Sequence, residues 1–286
     1  MALRAIETPD GRLETNGNAV QQLVLQFYTA KLQSPSGPKT GKYLPCEAPR
    51  NYPWAQTGAP DPFNLTTAVT AGAAPRKWLH PHIADAAAFT ACLKTLAHGK
   101  APGPDGVTNE MLQLIPNQGH NLLHSLIQLM WATKYTPTPW KHSITTLMYK
   151  NKGTPLQLKY YRRIGLENTI YKLWTRMITW ALSDFAERNN IITYTQGGFR
   201  NKRNTTDQLE LLTMILEDAQ LTKQDIYMLM IDFTEAFDTI DHDKLLQIMY
   251  DLGFPTDSIE VIKNLYSNAT TSVRTPTGLS PPTHAL

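Results

Sequence analysis

Residues 226–243 read Ile-Tyr-Met-Leu-Met-Ile-Asp-Phe-Thr-Glu-Ala-Phe-Asp-Thr-Ile-Asp-His-Asp. Tyr227 to Ile231 is an unbroken apolar run, the pattern of a strand buried on both faces. It ends abruptly in a carboxylate, Asp232. An acid at the C-terminal end of a buried strand lies where a sheet exposes reactive groups to a cleft. Such a group suits a hard cation such as Mg²⁺, which keeps several waters and binds one or two carboxylates beside substrate phosphates. Asp232 and Glu235 also have the spacing of a helix-capping pair, so the residues alone leave both roles open.

Working outward, charge is unevenly spread along the 286 residues. The formal net charge is only +3, yet residues 141–203 carry twelve bases against three acids, a balance of +9. Residues 204–286 carry thirteen acids against four bases, a balance of −9. A basic segment beside an acidic one fits a polyanion held near a cation site, or a solvated, salt-laced surface. Hydrophobic content of 42% supports a real core, and no apolar run is long enough to span a bilayer. Cys46 and Cys92 have neither disulfide-framework nor zinc spacing, which points to a reducing intracellular compartment, cytoplasm or nucleus.

The periodicity predicts a helix from Asn18 to about Leu32, then a Pro- and Gly-rich linker over 34–81. Residues 1–81 are thus expected to be a loosely attached N-terminal region, with the folded domain at 82–286. Within that domain Asp85 caps a helix carrying Phe89 and Leu93, stopped by Gly99. Helices are expected at 108–115 and 121–133, with His120 and His124 exposed on the second. A strand is expected at 143–149. Asn168 is positioned to cap a long helix to Arg188, and Thr205 with Gln208 has capping-box spacing. Further on, Asp241 or Asp243 starts one helix, Ser258 caps another, and Thr271–Thr275 forms a short strand. Two loops stand out. His98-Gly-Lys-Ala-Pro-Gly-Pro-Asp-Gly106 is stiff and turn-rich, with Lys100 available to a phosphate. Gln196-Gly-Gly-Phe-Arg-Asn-Lys-Arg203 combines backbone N–H groups, an aromatic and three bases.

Together these stretches resemble the reverse transcriptases of non-LTR retrotransposons. Lys-Ala-Pro-Gly-Pro-Asp-Gly at 100–106, Gly-Phe-Arg at 198–200 and Asp-Phe-Thr-Glu-Ala-Phe-Asp at 232–238 are specific motifs of that family. The resemblance is strongest over about 98–270. It implies an α+β fold, a partial right-hand polymerase with fingers and an incomplete palm, mostly helical around a small antiparallel sheet. It implies RNA-directed DNA polymerisation by two-metal nucleotidyl transfer, with Mg²⁺ or Mn²⁺, an RNA template, a DNA primer and dNTPs. Neither a membrane nor a structural zinc is expected. By resemblance Asp232 is catalytic and a metal ligand, with the Phe233 carbonyl sharing the ions. Lys150, Arg162, Phe233, Ala236 and Phe237 would contact the incoming nucleotide, Phe237 blocking a ribose 2′-hydroxyl. Lys100, Gln196, Gly198, Phe199 and Arg200 would grip the template.

Two departures matter. Arg163 stands where the family's Arg-Pro-Ile motif has proline. No Asp-Asp dipeptide occurs in the 286 residues, so the second palm motif is missing and the chain is expected to be inactive alone. Rival readings are a non-catalytic nucleic-acid-binding remnant, a group II intron maturase-like or retron enzyme, and a phosphatase-like hydrolase with a strand-end Asp nucleophile. The hydrolase would want an acid two residues after Asp232, where Thr234 sits.

Overall fold

The computed structural model describes residues 5–32, 80–233, 236–237 and 240–284. Cys46, most of the expected linker (residues 34–79), and Thr234, Glu235 and Asp238 of the central motif lie outside the described residues.

The chain opens with a short antiparallel ribbon, β1 (Ile6–Glu7) and β2 (Leu13–Glu14), turned at Gly11 with φ +80°. Asn16 accepts from the N–H groups of Asn18 and Ala19 and so starts helix α1 (Gly17–Leu32). Val20, Val24 and Tyr28 recur every fourth residue, forming one stripe. That stripe and Ile6 pack on Leu158, Tyr161 and Val273 of the main sheet, while Glu7 N–H donates to the Leu156 carbonyl. The expectation of a loosely attached N-terminal region therefore fails for residues 6–28, because the helix has an apolar stripe and the sheet an open apolar face.

Helices α2 (Pro81–Ala84), α3 (Ala86–Lys94), α4 (Asn109–Leu114), α5 (Asn117–Thr133) and α6 (Thr169–Arg188) build the larger core. Its centre is Phe89, Ile127, Trp131, Trp174 and Met177. Trp131 meets Trp174 edge-on at 6.3 Å, and the buried Trp174 indole donates to Thr136 Oγ1 at 3.0 Å. Asp85 caps α3 as expected, accepting from Ala87 and Ala88. Cys92 is buried in this core, and burial pushes its thiol up to about 11, so its role is packing. The two histidines are not exposed helix residues. His124 is buried with Nε2 at 2.8 Å from the Ile83 carbonyl, and His120 Nε2 lies 3.0 Å from that of Leu112. Each imidazole satisfies a carbonyl that α2 or α4 leaves over.

Strands β3 (His142–Tyr149), β4 (Tyr161–Leu166), β5 (Thr270–Thr275), β6 (Gly278–Leu279) and β7 (Thr283–His284) form the sheet. Its order is β4-β3-β5-β6, with β7 also pairing β5. The sheet is mixed rather than antiparallel. β3 and β4 make an antiparallel hairpin, but β3 and β5 run parallel, His142 opposite Thr270 through Thr145 opposite Val273. A parallel pair needs a long crossover, and the helices between Leu166 and Thr270 supply it. Two of these are α8 (His242–Asp251), capped by Asp241, and α9 (Thr256–Tyr266). Ser258 is buried inside α9 rather than capping it, and Pro255 occupies the cap position. Lys141, only 4% exposed, donates to the carbonyls of Asn264 and Ser267 at the end of α9. Burial lowers its pKa, while the helix C-terminus gives its charge a partner.

The central apolar run behaves differently from expectation. Residues 224–233 form no strand, with Tyr227 94% and Ile231 72% exposed. An apolar run becomes a buried strand only when a neighbour takes its backbone hydrogen bonds and covers its faces. Among the described residues no strand lies beside it. Helix α7 (Thr205–Thr222), which leads into it, has no buried residue either. Its capping box is Asn204 with Asp207, one residue before the expected pair.

Candidate nucleic-acid interface

Strand alternation sorts the bases of the β3–β4 hairpin. Met148 faces Arg162 across the ladder, and Leu147 faces Arg163. Lys150 continues the register, its N–H donating to the Tyr160 carbonyl. Lys150, Met148, Arg162 and Ile164 are exposed, and alternation puts them on one face, an apolar strip carrying two cations. Lys150 Nζ lies 3.1 Å from the Lys159 carbonyl, which folds it back along the hairpin end. The opposite face carries Leu147, Tyr149 and Tyr161 against α1. Arg163 belongs to that second face, its guanidinium carbon 5.4 Å from the centre of the Tyr28 ring. The residue that replaces the family's proline thus joins α1 to the sheet. Sequence alternation alone could have separated Arg162 from Arg163, but not found Tyr28.

The 98–106 loop is held on the start of α6. Gly99 and Gly106 have positive φ, 66° and 70°. Gly103 is needed for close approach, since a Cβ there would meet the Glu167 carbonyl carbon at 2.4 Å. Asn168, expected as a helix cap, makes no cap bond. Its Oδ1 accepts from Asp105 N–H and its Nδ2 donates to the Pro139 carbonyl. Asn168 therefore locks the loop, and Lys100 stands exposed on it. Nothing in the local sequence separates this role from a cap.

In the 196–203 turn, Arg200 forms a two-pronged pair with Glu187, at 2.8 and 2.6 Å, and donates to the Thr193 carbonyl. The hydrogen bonds from Arg200 hold the Glu187 carboxyl below its ordinary range. This anchors the turn on the end of α6. Gln196 Nε2 donates to the Gly198 carbonyl. Phe199 has φ +61° and is 95% exposed, its ring 6.0 Å from Phe237 and perpendicular to it. That aromatic contact brings the turn and the central motif together. Asp232, Phe233, Ala236 and Phe237 are all exposed. Among the described residues no hydrogen bond or ion pair joins Asp232 to Lys150 or Arg162.

A divalent cation needs several oxygen ligands in good geometry. Among the described residues no group of three His, Cys, Asp or Glu side chains can hold a metal ion. Asp232 stands on exposed coil and does not by itself fit a two-metal centre. The described surface therefore offers phosphate-binding cations and exposed aromatic rings.

Residues 149–281 match the family described as reverse transcriptase (RNA-dependent DNA polymerase). This segment contains Lys150, Arg162, the 196–200 turn and Asp232. The class defined is that of the non-LTR retrotransposon reverse transcriptases, a nucleotidyltransferase family. Among particular relatives, the chain is 29% identical over 182 residues to the probable RNA-directed DNA polymerase from transposon BS of Drosophila melanogaster, covering 64% of this chain and 20% of that protein. It is 28% identical over 171 residues to the RNA-directed DNA polymerase from mobile element jockey of the same organism, covering 60% and 19%. It is also 28% identical over 146 residues to the probable polymerase from transposon X-element, covering 51% and 16%. The chain thus spans about a fifth of the length of the curated relatives it matches. Among the described residues no helix is long and apolar enough to cross a membrane.

Proposed function

We propose that this chain is the fingers and first part of the palm, residues 82–286, of an RNA-directed DNA polymerase from a non-LTR mobile element, acting inside the cell. The observation that carries this reading is the reverse transcriptase match over 149–281, which includes every proposed nucleotide residue and Asp232. In the complete protein Lys150 and Arg162 receive the triphosphate of a dNTP, Lys150 as a point charge and Arg162 as a fork. Phe237 lies against the sugar and excludes a 2′-hydroxyl. Lys100, Gln196, Gly198, Phe199 and Arg200 border an RNA template paired to a DNA primer. For Arg200 the proposed role is to hold the turn through Glu187, which sets Phe199 and the Gly198 backbone toward the strand. Mg²⁺ or Mn²⁺ in the complete enzyme would neutralise charge developing on the transferred phosphate, with Asp232 as one ligand.

A single exposed carboxylate leaves this chain a binding module rather than a polymerase. In a primer-extension assay on an RNA template, the 286-residue chain is expected to add no nucleotide. Template-dependent synthesis would overturn the incomplete-site reading. Photocrosslinking with an azido-dATP tests the nucleotide face. Label is expected in peptides carrying Lys150 or Arg162, and Lys150→Ala with Arg162→Ala should abolish it. Label retained by the double variant would refute the assignment.

A further inference from the structure

The outer face of α6 carries a cavity that shares no residue with the β3–β4 hairpin. It measures about 600 Å³, and its lining includes Lys100, Lys172, Arg176 and Trp180. Lys172 and Arg176 are one turn apart, interleaved with the buried stripe of Leu173, Trp174 and Met177, so the helix turns them outward. Arg176 Nη1 donates to both the carbonyl and the hydroxyl of Thr95, each at 2.7 Å. That fixes the guanidinium while leaving its other N–H groups available. Lys172 Nζ is 3.4 Å from the Ala101 carbonyl, which brings it beside the loop of Lys100.

Among the described residues, none of the three cations makes an ion pair. The nearby carboxylates compensate them poorly. Glu110 is drawn to the Gly99 N–H, and Glu167, although close enough to feel Lys172, is buried enough that its pKa is raised. Three cations around one concavity call for an anion with several oxygens. The indole at the rim adds a surface on which a base can stack. An indole is of little use to inorganic phosphate, so the combination favours a strand.

We propose that this cavity seats a phosphodiester of single-stranded RNA, with Lys100, Lys172 and Arg176 on its phosphate oxygens and Trp180 against a base. The proposal rests on the reading that the chain acts on nucleic acid, and it adds a contact on the outer face of α6.

The test is fluorescence anisotropy of a labelled oligouridine with the 286-residue chain across a salt series. Lys172→Gln with Arg176→Gln should weaken binding at least tenfold at low salt. The logarithmic salt slope should fall by about 1.4, since each single-strand phosphate contact contributes roughly 0.7. Unchanged affinity and slope in the variant would overturn the cavity while leaving the functional reading intact. No oligouridine binding by the unaltered chain would overturn both. Because Arg176 also holds Thr95, lysine acetylation footprinting on the unaltered chain supplies a second measurement. Oligouridine should protect Lys100 and Lys172 and leave the exposed Lys223 reactive. Equal reactivity with and without the strand would refute the proposal. So would protection by inorganic phosphate that oligouridine cannot reproduce, which would mark a free-anion pocket.

Discussion

His80 is 2% exposed, and its Nδ1 accepts the N–H of His82, capping α2. Burial, with smaller contributions from His82 and Arg188, lowers its pKa to about 3. A folded-state value below the unfolded 6.5 means that the unfolded chain takes up the proton first. His80 therefore contributes its full stability above pH 6.5 and loses it as pH falls toward 3. The loss at pH 4 is roughly 3 kcal/mol, from about 1.36 kcal/mol per pH unit. Urea unfolding from pH 7 to pH 4 should show this decline. His80→Asn, whose amide oxygen can accept the same bond, should flatten it. A second prediction concerns Gly103, whose missing Cβ lets the loop touch the backbone at Glu167 and Asn168. Gly103→Ala should cost about 1–3 kcal/mol, as overpacking does, and lower the thermal midpoint. A midpoint unchanged from that of the parent chain would show that the loop is not held this closely.

For individual elements, β4 explains how arginine can stand in a proline position. Lys150 and Tyr160 form a hydrogen-bonded pair, so alternation makes Leu147 and Arg163 a non-hydrogen-bonded pair. The Arg163 N–H points away from β3, and β4 is the edge of the sheet. Proline costs no ladder bond there. Arg163→Pro should therefore keep the fold and change stability by no more than about 1 kcal/mol, the scale of the lost contact with Tyr28. Denaturant titration checks this, and a loss of several kcal/mol would place the N–H inside the ladder. Helix starts were legible where one polar residue preceded a clear apolar stripe, as at Asp85, Thr108 and Asp241. They slipped where neighbouring candidates competed. Asn204 with Asp207 has the same spacing as Thr205 with Gln208, and only the backbone chose between them. Ser258 was lost to Pro255, whose fixed φ already suits a helix entrance.

At the scale of the whole molecule, two packed regions share the sheet. One is the helical core around Trp131 and Trp174, and the other is α1 against β3, β4 and β5. Helix α7 and residues 226–233 contribute nothing to either, and expose Leu209, Met214, Tyr227, Leu229, Met230 and Ile231. An apolar surface of this kind marks an interaction site or an aggregation hazard. The chain is expected to self-associate with rising concentration in sedimentation velocity, and Leu229→Glu with Ile231→Glu should shift it toward monomer. A concentration-independent monomer in the parent chain would contradict this.

The local order of elements followed from the sequence alone. The caps, the apolar stripe of α6, the strands around Ser143 and Thr271 and the basic third of the chain are set by residues within a few positions of one another. So were the motifs of the reverse transcriptase class, which are contiguous strings. Tertiary structure alone decided the parallel pairing of β3 with β5, the docking of α1, the recruitment of Asn168 to the 98–106 loop and the pairing of Arg200 with Glu187. Each joins residues distant in the chain, and local spacing carries no information about such partners. The run from Tyr227 to Ile231 marks the boundary between the two. Its composition is that of a buried strand, but burial is a property of neighbours, and none of the described residues covers it.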